Sequence, residues 1–211
     1  MPIPTYFQEI NRFGSPNGHP NVADFIAEGL TEIDAATGHP IWNAAGQAAT
    51  LEMISTRFSL AVELYHFIRD LESKLSGPQT TRQIVARGYY AMFWAGRALS
   101  LTLCDRDWGM GSGNHGNLPT HLDIHTTGDS WHPNFHRSLK KWRSLRNCAD
   151  YNLFPILVYS GRYAGRRPRG VGSDYDSLND AAFDVGNSVE KYLRESQRLI
   201  TARGVSLVSI S

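Results

Sequence analysis

The sequence predicts an all-α protein, an up-and-down bundle of four long helices with an N-terminal extension, and three observations predict it. Apolar residues recur every three or four positions in four separate segments, the period that builds one buried stripe per helix. The stretches between those segments are rich in Gly, Pro, Asn and Asp, which stop helices and make turns. Convincing strand patterns are missing, and the one short candidate is the apolar tail VSLVSIS.

The elements follow in order. Residues 1–43 carry turn signals (FGSPNGHP, TGHPIW) around one short helical candidate, NVADFIAEGLTEID, and are expected to pack on the main body as an extension. From Ala44 to Leu75 the residues Leu51, Ile54, Phe58, Ala61, Tyr65, Ile68, Leu71 and Leu75 fall on one stripe of a long helix, which SGPQT at 76–80 ends. A second helix runs from Thr80 to Asp105, and its core IVARGYYAMFWAGRALSLTL is apolar on most sides, the mark of a central helix. Residues 106–131 read as a long loop with at most one short turn of helix; loops this long are uncommon unless functional or mobile. A third helix spans Pro133 to Tyr151 with Phe135, Leu139, Trp142, Leu145 and Ala149 on one face. The basic loop SGRYAGRRPRGVGS then leads to a last helix, Ser173 to Arg203, with Leu178, Ala182, Val185, Val189, Tyr192 and Leu199 in register. The chain thus divides into an extension, 1–43, and a bundle, 44–211, with loop insertions at 106–131 and 160–173.

Composition narrows the function. A chain of 211 residues with 41% hydrophobic and 19% charged residues is an ordinary folded domain, not a disordered or fibrous one. Its formal net charge of +1 means that a nucleic-acid surface has to be a local patch. The start MPIPTYFQEINRF lacks the basic region and apolar run of a secretory signal, so the cytoplasm is the expected compartment, with Cys104 and Cys148 as buried thiols rather than a bridge. Apolar runs all fall short of the roughly 20 residues of a membrane span, and no membrane association is expected.

Two strings carry a family resemblance. Ala86-Arg-Gly-Tyr-Tyr-Ala-Met-Phe-Trp-Ala-Gly-Arg-Ala-Leu99 resembles the paired-tyrosine, small-residue and Phe signature of HEPN domains, and Leu145-Arg-Asn-Cys-Ala-Asp-Tyr151 resembles the Arg…Ala-Asp-Tyr end of their third long helix. The stretch from Asp174-Tyr-Asp-Ser-Leu through Ala181-Ala-Phe-Asp-Val is similar in style to their last helix, so the resemblance covers roughly Ala44 to Arg203. It implies a helical bundle, often dimeric, in a superfamily tied to RNA cleavage, nucleotide binding, toxin–antitoxin pairs and antiviral defence. In ribonuclease members an Arg is followed four to six residues later by His, and two copies meet to make a metal-independent site. Here Arg146 is followed by Asn147, Cys148, Ala149, Asp150, Tyr151 and Asn152, with no histidine among them.

Three groups of residues bear chemistry. Arg146 can supply a permanent cation for a phosphorane, and Asp150, one helical turn on, shares its face and can pair with it. Tyr151 is a poor base, since a phenol pKa near 10 has to fall by about three units to act at neutral pH. Five histidines, His115, His121, His125, His132 and His136, crowd one region, and both His121/His125 and His132/His136 are spaced one helical turn apart as metal-binding pairs are. No carboxylate completes a zinc pattern, so no metal and no cofactor is assigned; His121 and His125 are instead the first choices for a spatial substitute for the missing histidine. Finally, Arg162, Arg166, Arg167 and Arg169, interleaved with glycines and Tyr163, form a loop suited to tracking a phosphate backbone, and Arg137, Lys140, Lys141 and Arg143 add positive charge ahead of Arg146.

The leading expectation is a HEPN-like protein that binds RNA or nucleotides in a toxin–antitoxin, defence or stress system, as a homodimer and with a partner protein such as an antitoxin. If it is an enzyme, it is a metal-independent endoribonuclease, and binding without efficient cleavage is favoured because the histidine is absent. The alternatives are a homo-oligomeric interaction scaffold with no nucleic-acid function, and a histidine-ligated metal hydrolase.

Overall fold

The computed structural model describes residues 31–33, 40–42, 44–74, 77–104, 114–126, 136–151 and 178–210. Among them lie two short strands, β1 (Thr31–Ile33) and β2 (Pro40–Trp42), and five helices: α1 (Ala44–Glu72), α2 (Pro78–Cys104), α3 (Asn114–His125), α4 (Arg137–Tyr151) and α5 (Leu178–Thr201). The protein is all-α, since the only sheet among these residues is the antiparallel β1–β2 pair, with Glu32 opposite Ile41.

The helical stripes assemble as their spacing predicts. Ile54, Phe58, Ala61, Tyr65 and Ile68 of α1, Leu139, Trp142, Leu145 and Ala149 of α4, and Leu178, Ala182, Val185, Val189, Tyr192 and Leu199 of α5 are all buried in one core, while Leu51 is exposed. The apolar helix α2 packs against α1, α3, α4 and α5, the central position its composition calls for. It opens on Pro78, a residue pre-set for the first helical position because its missing N–H has no partner there in any helix. Gly88 lets α5 lie close against it, because a Cβ at that position would collide with the Val185 side chain.

Some expectations are corrected. The end of NVADFIAEGLTEID is strand β1 rather than helix. Residues 114–125 form a 12-residue helix rather than loop, despite Pro119 inside it. Local propensity argues against helix there, and packing overrides it: Leu118 and Leu122, one turn apart, are 0% exposed. The tail is not a strand. Gly204, at φ +84°, ends α5, and the chain then returns over the core, burying Ile210, with Val205 and Leu207 packed on it and the Val208 carbonyl accepting from Gln197 Nε2 at 2.8 Å. Cys148 is buried, as expected.

Candidate functional site

The last turn of α4 carries Arg146, Asp150 and Tyr151, and α2 holds that turn in place. The final carbonyls of a helix lack intrahelical donors. Arg82 supplies them from across the interface, its Nε donating to the Ala149 carbonyl at 2.5 Å and its Nη2 to the Asp150 carbonyl at 3.1 Å.

Arg146 is engaged on every nitrogen. Its Nε lies 2.5 Å from Asp150 Oδ2, the ion pair that one-turn spacing anticipates, although its alignment falls outside that of a hydrogen bond. Nη1 donates to Asn147 Oδ1 at 3.1 Å and Nη2 donates to the Tyr90 hydroxyl. The guanidinium also lies between two rings, 5.1 Å from the Tyr90 centroid and 5.2 Å from that of Tyr151, within cation–π range of both. Burial by itself lowers the guanidinium pKa, and Tyr90, Asp150 and Tyr151 outweigh it, so the net direction is upward. Tyr151 is 72% exposed and forms the outer wall of this stack.

One turn earlier on α4, Arg143 is half-buried and has a different setting. Its Nη1 is 3.1 Å from where a Cβ on Gly116 would sit, so it rests against the first turn of α3. It has no hydrogen bond or ion pair among the described residues.

Beside it stands His115, also from the first turn of α3. Its ring stacks on Phe93 with centroids 4.3 Å apart and planes 22° apart, and Nδ1 is 2.5 Å from the Tyr89 hydroxyl. Burial, then the positive charges of Arg143, Arg146 and Arg97, push the His115 pKa below its ordinary value, so the ring is neutral at pH 7. Burial also pushes the Tyr89 phenol up, with Tyr90 adding and Arg143 and Arg146 opposing, so Tyr89 keeps its proton.

A histidine therefore does lie in the electrostatic reach of Arg146, and it is His115. His121 is half-buried six residues further along α3, about 9 Å along the helix axis at ~1.5 Å per residue. The side chain of His125 lies outside the described residues, as do His132 and the basic loop with Arg162, Arg166, Arg167 and Arg169. His136 is fully buried, its Nδ1 3.1 Å from the Tyr192 hydroxyl, and burial pushes its pKa down to about 3. Among the described residues no three His, Cys, Asp or Glu side chains gather to hold a metal ion. Arg97 is buried with its guanidinium 4.7 Å from the Trp94 centroid and 6.0 Å from that of Phe93, whereas Arg87 is exposed.

Sequence reasoning counted His115 among five crowded histidines but chose His121 and His125 ahead of it, and it gave Tyr89 no role beyond the string that carries the resemblance. The available signal was the paired tyrosine itself: Tyr89 faces His115 and Tyr90 faces Arg146. No helix among the described residues is long and apolar enough to cross a membrane. No protein-family model, no curated protein and no solved structure matches the chain.

Proposed function

We propose that this chain is a HEPN-like bundle protein that binds RNA or nucleotides through their phosphates where α3 meets α4, and that it binds without efficient cleavage. The observation that carries the reading is Arg143, a half-buried cation with no protein anion on it among the described residues, beside a neutral histidine. Holding a cation partly out of water is unfavourable unless an anion completes it, and guanidinium forks onto phosphate oxygens. Arg146 adds positive field from behind but is already committed to Asp150, Asn147 and Tyr90.

The up-and-down arrangement of the resemblance is supported by α1 and α5. The Tyr65 hydroxyl donates to Glu190 and Glu72 accepts from the Gly186 N–H, pairings that run in opposite directions along the two helices. The basic loop of Arg162, Arg166, Arg167 and Arg169 serves in this reading as a second contact with the phosphate backbone.

Salt titration of single-stranded RNA binding is the test. The logarithm of affinity falls linearly with that of salt, and Arg143→Ala reduces the slope by about 0.7, the contribution of one phosphate contact on a single strand. Undetectable binding of RNA and nucleotides at low salt overturns the reading. A second reading, association of copies into a scaffold, is favoured by the exposure of Phe183 (65%) and Ile124 (61%). Self-association by sedimentation, weakened by Phe183→Ser and indifferent to RNA, identifies that outcome.

A further inference from the structure

The Tyr89–His115 contact decides which imidazole nitrogen carries the proton. Tyr89 is 1% exposed, and its hydroxyl has one hydrogen-bond partner among the described residues, His115 Nδ1 at 2.5 Å. A phenol has a single proton to place. If Nδ1–H donated to the phenol oxygen, the Tyr89 proton would be buried without an acceptor, a cost that buried polar groups rarely bear. Tyr89 therefore donates, Nδ1 accepts, and the neutral ring holds its proton on Nε2.

Nε2 faces a different environment. It makes no hydrogen bond among the described residues, and it is not one of the side-chain atoms sealed from solvent. The stack on Phe93 fixes the ring plane. Among the described residues the charged groups acting on the ring are all cationic: Arg97 from α2, and Arg143 and Arg146 from α4. An acceptor-only ligand suits such a place, because among the described residues His115 Nε2–H and the Arg143 guanidinium are both donors without a protein acceptor.

We propose that His115 serves the phosphate site as a neutral hydrogen-bond donor through Nε2–H, set by Tyr89 and acting with the Arg143 guanidinium on one phosphate, and not as a proton-abstracting base. The ligand group is a phosphate oxyanion, whether of an RNA backbone or of a nucleotide or free terminal phosphate. The inference rests on the phosphate-binding reading above and gives it a chemical reason to favour binding over cleavage. A base for the 2'-hydroxyl needs a bare ring nitrogen facing the ligand, and the bare nitrogen here is occupied by Tyr89. Binding through a backbone phosphodiester, whose single charge does not titrate in this range, accordingly stays level from pH 8 to 7 with His115 uncharged, whereas binding of a terminal or free phosphate also follows that group's own second ionisation.

The tautomer is read directly from imidazole nitrogen shifts of the ¹⁵N-labelled protein at pH 7, with His115→Gln identifying the signals. The expected pattern is a protonated Nε2 and an unprotonated Nδ1, and Tyr89→Phe relaxes it toward a mixture. Binding is then followed with inorganic phosphate, with a 5'-phosphorylated RNA oligonucleotide and with the same oligonucleotide lacking the phosphate. His115→Ala weakens binding of the phosphate-bearing probes about tenfold, the loss of one charge-assisted hydrogen bond. His115→Gln, whose amide N–H reaches where Nε2–H does, restores most of it. Equal loss for both RNAs assigns the site to backbone phosphate; loss confined to the phosphorylated one and to inorganic phosphate assigns it to a terminal group.

An Nδ1–H tautomer or an imidazolium at pH 7 overturns the proposal, and so does binding of all three probes, both RNAs and inorganic phosphate, left intact by His115→Ala. RNA that fails to bind while inorganic phosphate binds through His115 removes the RNA reading and leaves the donor role standing. Contacts of the imidazole protons with the stacked Phe93 ring assign the same signals on the wild-type protein alone, so a variant that unfolds does not shield the proposal.

Discussion

A guanidinium has five N–H groups in a rigid fork, and two arginines of this protein use theirs in opposite ways. Arg146 directs its nitrogens at its own helix and at Tyr90, and Arg82 directs its nitrogens at the end of a helix other than its own. The second use gives a stability prediction. Arg82→Ala leaves the Ala149 and Asp150 carbonyls without their donor and costs about 1–2 kcal/mol in denaturant unfolding, with Arg82→Lys recovering part of it. His136 gives a pH prediction. Its folded pKa of about 3 lies below the ordinary value, so the unfolded chain binds a proton that the folded one refuses. The stability in question is complete above pH ~6.5 and is lost as pH falls toward 3, at about 1.4 kcal/mol per pH unit well inside that window. His136→Gln, which keeps a polar partner for Tyr192, flattens the acid limb of an unfolding-versus-pH series.

At the scale of elements, the helices whose apolar residues repeat without interruption were legible from pattern alone. The stripe of α5 is buried at every position named from the sequence, from Leu178 to Leu199. Helix α3 was not legible, because Gly116, Asn117 and Pro119 lower its local propensity and only the long-range burial of Leu118 and Leu122 repays that. The candidate site was half legible for the same reason. Arg146 and Asp150 lie on one helix, where spacing predicts contact, whereas His115 comes within the field of Arg146 only because α3 exists and docks. Helix–helix contact at Gly88 makes the third prediction. Gly88→Val forces a branched side chain into Val185 and costs about 1–3 kcal/mol by overpacking, offset only slightly by better helix propensity; thermal unfolding measures it.

The described helices are organised around α2, which touches every other one of them and whose first turns and middle do different work. Near its start Arg82 holds the end of α4; further on Tyr89 and Tyr90 hold His115 and Arg146. The greasy composition of that segment forecast its central place, but composition is silent on which side chains meet across an interface. One consequence concerns Cys148, a buried thiol one residue before the carbonyl that Arg82 Nε grips. Alkylating reagents reach it only when that turn opens, so its labelling rate is a clock for the local opening of the candidate site. In a Cys104→Ser background, Arg82→Ala should quicken alkylation by roughly five- to thirtyfold at unchanged pH, following its ~1–2 kcal/mol cost. A rate that does not respond places the opening elsewhere in the helix.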